Sequence, residues 1–108
     1  LLGQCYYKIG DYPASLLALQ QTRELLPNDH RILYYLGKTY SKLGEDSDAA
    51  LTFRKALKIE PEDPEIYFAL GKSYYRLNKN KKVNETLDIL NMLDRSLYEQ
   101  LYSEVGGK

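Results

Sequence analysis

The sequence predicts an all-α chain built as an array of stacked antiparallel helix pairs, and three observations predict it. A 34-residue period runs through independent columns: Gly3, Gly37 and Gly71; Tyr6, Tyr40 and Tyr74; Leu2, Leu36 and Leu70; Pro27 and Pro61. Within one period the apolar residues recur at helical spacing, and no segment alternates with period two. Breakers stand at matching places: Gly44 between two helical segments, Pro61 after the second, and Pro64 in the first turn of the next. A period of this size marks supersecondary units that bury their apolar stripes only by stacking on one another.

The units fall at 1–29, which lacks its beginning, then 30–63 and 64–97, with a tail at 98–108. The chain does not begin with Met, so the natural start is expected upstream and the chain reads as a stretch of a longer array. Seven helices follow: a truncated first one, then 12–26, 30–43, 47–60, 64–77, 82–93 and a terminal one at 97–105. In the middle unit Leu33, Leu36, Tyr40 and Leu43 share one helical face, and Ala49, Phe53, Ala56 and Leu57 share another. Small residues such as Gly37 and Ala49 let two backbones approach where the helices cross, and Phe53 and Tyr40 fill the space around that point. Tyr6, Tyr40 and Tyr74 are therefore read as packing residues, and Cys5 as a small packing residue within a helix.

The third unit departs from this pattern. Asn78-Lys79-Asn80-Lys81-Lys82 replaces the Gly expected at its turn, and Val83 and Leu90 are larger than Ala49 and Ala56. Arg95 stands where Pro27 and Pro61 stand, and wider packing is expected there. Ser96 and Glu99 suggest a capping box for the terminal helix. Leu97, Tyr98, Leu101, Tyr102 and Val105 then form an apolar stripe that would cover the last pair, before Gly106-Gly107 ends it.

Leu36-Gly37, Tyr40, Ala49, Phe53, Ala56 and Pro61 in the middle unit resemble the tetratricopeptide repeat, as do Leu70-Gly71 and Tyr74 in the third. Leu33 and Tyr67 replace the family's usual Trp, and the resemblance covers about 97 residues. It implies a right-handed superhelix of helix pairs whose concave groove is presented to partner proteins.

Composition excludes several other classes. Fifteen basic and fifteen acidic residues balance, which disfavours nucleic acid as a partner of the chain as a whole. A single Cys excludes an internal disulfide framework and a Cys-rich metal site, and it favours the cytosol. No apolar run reaches the length of about 18 residues that a membrane span needs. His30 and Cys5 lie in different units, too far apart in the repeat for a nucleophilic pair. No phosphate loop, HExxH, CxxC or EF-hand pattern occurs, so neither a metal nor a cofactor is expected, and the chain reads as non-enzymatic.

The informative surface is the face opposite the core stripe on the first helix of each unit. The middle unit places Arg31, Tyr34, Lys38, Ser41 and Lys42 there, and the third places Glu65, Phe68, Lys72, Tyr75 and Arg76. The first contributes Gln4, Tyr7 and Lys8. Aromatic residues interleave with six cations and one carboxylate, an excess of five positive charges on a neutral chain. Such a groove suits a protein or peptide segment bearing acidic groups, with the rings as anchors. Some members of the resembled family clamp a chaperone's terminal carboxylates with Lys, Asn and Arg; Lys38 and Lys72 stand where that clamp would use Asn.

A protein-interaction module within a larger scaffold is thus the leading reading. A recognition region of a multidomain enzyme is the alternative, and single-stranded nucleic-acid binding on the same groove is a third. The uncovered apolar edge near Leu2 is also expected to promote self-association.

Overall fold

The computed structural model describes residues 2–106; Leu1, Gly107 and Lys108, including the second glycine of the expected stop, lie outside the described residues. Seven helices follow in order among the described residues, with no strand: α1 (Leu2–Ile9), α2 (Tyr12–Leu25), α3 (His30–Lys42), α4 (Asp46–Ile59), α5 (Pro64–Arg76), α6 (Asn80–Leu93) and α7 (Arg95–Glu104). The first six pack as α1–α2, α3–α4 and α5–α6, with α2 against α3 and α4 against α5 between pairs. Helix α7 lies against both α5 and α6.

The turn inside each pair is the same hydrogen-bonded closure repeated three times. The amides of Asp11, Glu45 and Lys79 donate to the carbonyls of Tyr6, Tyr40 and Tyr74 at 3.0, 2.8 and 3.0 Å. The amides of Gly10, Gly44 and Asn78 donate to Tyr7, Ser41 and Tyr75 at 3.1, 3.1 and 3.0 Å. This double closure requires a left-handed residue after the helix. Gly10 and Gly44 supply it at φ +86° and +83°, and Asn78 supplies it at φ 60°. Asn tolerates that region better than other residues with a Cβ, so the loss of Gly in the third unit leaves the turn intact.

Between pairs the helix starts are capped by Asp29 and Asp63, whose carboxylates accept the amides of Arg31 and Glu65, each at 3.0 Å. Within the second and third pairs, neither α4 nor α6 has a side-chain cap, and α6 is the one with an unfavourable charge at its start. Its N-cap is Lys79, with no side-chain cap, and Lys81 and Lys82 follow in the first turn. These lysines face the positive end of the helix dipole. The matching start of α4 carries Glu45, Asp46 and Asp48 instead.

Where helices cross within a pair, one glycine sits directly under a buried side chain. A Cβ on Gly37 would lie 2.6 Å from Phe53 Cε1, and Phe53 is almost fully buried. In the last pair a Cβ on Gly71 would meet Leu101 Cδ2 at 2.5 Å and Thr86 Cγ2 at 3.2 Å, so α7 as well as α6 fills that crossing. The core runs from Leu33 through Phe53, Ile66 and Leu90 to Leu101 and Val105, with a smaller cluster of Leu19, Ile32 and Leu36 beside α2. The Ser15 and Thr39 hydroxyls lie 3.2 Å apart between α2 and α3. One period later stand Ala49 and Ser73, and the buried Ser73 hydroxyl has no partner among the described residues.

Five sequence expectations are corrected. Helix α6 starts at Asn80, two residues before the expected 82, because the turn closes at Asn78 and Lys79. Helix α7 starts at Arg95, and Asp94 caps it by accepting the Leu97 amide at 3.1 Å; Ser96 is exposed, and Glu99 pairs with Arg95 at 3.4 Å. Asp94 comes first along the chain and its carboxylate reaches the free amides of the first turn. Cys5 is exposed, because among the described residues only α2 and α3 pack on α1. Leu43 is a half-exposed C-cap residue. Tyr102, at the solvent edge of the α7 stripe, is exposed while Leu97, Leu101 and Val105 are buried.

Gly37→Ala is expected to destabilise the chain by about 1–3 kcal/mol in urea unfolding. Adding Phe53→Leu should recover part of that loss if the ring is what the new methyl strikes. Lys79→Asp should stabilise by about 1 kcal/mol, since it supplies a cap and removes one cation from the positive end of α6; an unchanged melting temperature would contradict this.

Candidate functional site

Helices α1, α3 and α5, the first of each pair, lie side by side. The hollow between them has a volume of about 300 Å³. Helical spacing puts Tyr34, Lys38, Ser41 and Lys42 of α3 on one wall, and Glu65, Phe68, Ala69, Lys72 and Arg76 of α5 on the other. Tyr7 of α1 closes one end, and Phe53 of α4 reaches the floor from the core. Tyr34 and Phe68 also pack against the core, so their rings are half-buried supports whose outer edges face the hollow.

Lys38 is the central cation. Its ammonium lies 5.1 Å from the ring centre of Tyr7, 5.0 Å from Tyr34 and 5.5 Å from Tyr35. The three rings brace one another edge to face, Tyr7 with Tyr35 at 5.7 Å and Tyr34 with Tyr35 at 5.6 Å. No carboxylate lies within ion-pair distance of Lys38 among the described residues. Burial lowers its pKa below the usual lysine range; Lys42 and Lys72 add to the lowering and Glu65 opposes it. The ring contacts hold the charge without neutralising it.

The other cations differ in their partners. The Lys72 ammonium lies 5.2 Å from the Phe68 ring and pairs with Glu104 of α7 at 3.5 Å. Arg76 donates to the Ser41 hydroxyl at 2.6 Å and to Asp46 at 3.3 Å, tying α5 to α3 and α4. Lys42 lines the hollow and is exposed.

Seven of the ten residues singled out in the sequence thus share this hollow: Tyr7, Tyr34, Lys38, Lys42, Phe68, Lys72 and Arg76. Three do not. Lys8 is exposed at the end of α1. Arg31 lies beside its own cap, 3.9 Å from Asp29, in a separate hollow with His30 and Pro27. Tyr75 lines a third hollow with Asn80, Val83 and Val105. Tyr35, Glu104 and Asp46 were absent from that set. Tyr35 stands three residues before Lys38 on α3, so helical spacing alone places the two side by side and the signal was present in the sequence. Glu104 and Asp46 come from other helices, and helical periodicity carries no signal for such pairings.

Burial raises the pKa of Tyr34 above its ordinary value of 10.0, with Glu65, Tyr35, Tyr7 and Asp63 adding to the effect. Burial raises Tyr7 too, with Tyr12 and Tyr35 contributing. For a raised tyrosine, the stability is fully present below pH 10.0 and is lost as pH climbs toward the folded value. Lys38 acts in the opposite direction: its cost of charging is relieved as pH approaches 10.5. The melting temperature is therefore expected to fall above a pH of about 10, and Tyr34→Phe should make that fall shallower. An identical alkaline profile for the variant would show that Tyr34 ionisation is not the cause.

A family model described as TPR repeat matches residues 40–78, from late α3 to the turn after α5. Among curated proteins none matches the chain. Among solved structures, the TPR2B domain of yeast Sti1 in its pHsp70 complex has a TM-score of 0.90 at 20% identity, over 98% of this chain and 91% of that one. The first TPR of Spaghetti (RPAP3), bound to the HSP90 peptide SRMEEVD, has a TM-score of 0.89 at 14% identity, over 97% and 85%. MamA AMB-1 has a TM-score of 0.82 at 24% identity; the match covers 86% of this chain but only 55% of the MamA chain, about half its length. The chain carries a tetratricopeptide repeat at residues 40–78 and has the tetratricopeptide-repeat fold across its described residues.

Proposed function

We propose that the chain is a non-catalytic protein-interaction module. Its groove takes a peptide or protein segment with an acidic group beside a bulky apolar one. The observation that carries this reading is Lys38: a half-buried ammonium fixed by three tyrosine rings, open to the hollow and without a carboxylate partner among the described residues. A cation held this way gains from an incoming carboxylate, and Lys42 and Lys72 beside it add to the attraction. The exposed edges of Tyr34 and Phe68 offer the apolar neighbour of that carboxylate a shelf. The RPAP3 structure, with an acidic peptide bound to the same fold, supports a peptide ligand. The groove residues in this reading are the seven that share the hollow.

Fluorescence anisotropy with the heptapeptide SRMEEVD and a neutral counterpart, SRMQQVN, tests it. The acidic peptide should bind more tightly, with an advantage that shrinks as salt is raised. Lys38→Met keeps the apolar stem between the rings and removes the charge. It is expected to weaken acidic-peptide binding by about tenfold or more while leaving helicity unchanged. Equal affinity for the two peptides, or an acidic preference that survives Lys38→Met, would overturn the assignment.

A further inference from the structure

We propose that Glu104 of α7 is a built-in competitor for the groove: its carboxylate holds Lys72 where an acidic ligand's carboxylate would bind. This rests on the reading of the groove as a site for acidic segments. Lys72 lines the same hollow as Lys38, yet its ammonium is engaged by Glu104 at 3.5 Å. The pair is partly exposed, with 35% of the lysine side chain and 47% of the glutamate accessible, so a dissolved carboxylate can reach it. Arg76 is held by two partners, the Ser41 hydroxyl and Asp46, and is the less exchangeable cation.

Two further features point to the same role. Leu101, one turn before Glu104, seats over Gly71, the residue next to Lys72. That contact sets the register of α7 and brings Glu104 up beside the lysine. Glu104 is also the last residue of α7, whose final turn carries no basic residue. A carboxylate at the negative end of a helix dipole is unfavourable for the helix itself. Its contact with Lys72 offsets that cost, so the two groups are matched to each other. A ligand acid bound at Lys38 would lie near enough to Lys72 to compete for it, and the groove's affinity is then set partly by α7.

Glu104→Gln keeps the shape of the side chain and removes its charge. At low ionic strength the affinity for SRMEEVD should rise about two- to fivefold. The gain should vanish in a Lys72→Gln background, and it should shrink at salt of about 0.5 M. Helicity should be unchanged, since Leu101 still docks α7. If the unaltered chain prefers the acidic peptide but Glu104→Gln binds it no better, this inference fails and the groove reading stands. A gain that persists with Lys72→Gln also overturns it, because Glu104 would then act through general repulsion. If neither form prefers SRMEEVD over SRMQQVN, the groove reading fails and this inference falls with it.

Discussion

Phe53 packs against the backbone of Gly37 so closely that no side chain fits between them. The rest of the structure depends on that approach. It brings α3 and α4 together along their length and buries Ala49 and Ala56 at the same crossing. With α3 fixed, Tyr34 rests on Phe53, their ring centres 6.2 Å apart. Tyr34 then supports the ammonium of Lys38. A contact in the core thereby determines the position of a charge in the groove, and the chain is continuous from an absent methyl group to a half-buried cation.

The fold was largely legible because the period repeats every determinant. The turn and the glycine at the crossing recur in each pair, so one unit's pattern checks the next. Errors arose where the repetition lapses. Lys79 to Lys82 carry no start signal, and α6 begins at Asn80 instead of 82. Ser96 and Glu99 matched a known cap, but Asp94 precedes them and serves instead. The site was legible to the extent that it follows helical spacing. Ser41 and Tyr75 illustrate the limit, since they occupy the same position one period apart. Ser41 faces α5 across the groove, whereas Tyr75 meets the end of α7 near Val105. The same face has a different neighbour, and sequence periodicity does not record neighbours.

The charge of the groove also differs from a count along its helices. Counting gives a strong positive excess, but Asp29, Asp46 and Glu104 each reach a cation from outside the three groove-helix faces. Among the described residues the groove-helix cations Lys8, Lys38 and Lys42 remain without an ion-pair partner, and of these only Lys38 and Lys42 line the hollow. A concentrated charge discriminates among ligands better than a diffuse one, because its interaction depends on where the partner's acid stands.

The turns of the second and third pairs have a further electrical consequence. Glu45, Asp46 and Asp48 open α4, while one period later Lys79 and Lys82 stand opposite Glu45 and Asp48, with Lys81 between them, around the start of α6. The Arg76 to Asp46 contact shows that these two turns lie close together on one edge. That edge therefore carries a permanent transverse dipole, although the whole molecule is neutral. In the field of a charged surface that dipole experiences a torque, which adds an orienting contribution from this edge before any contact forms.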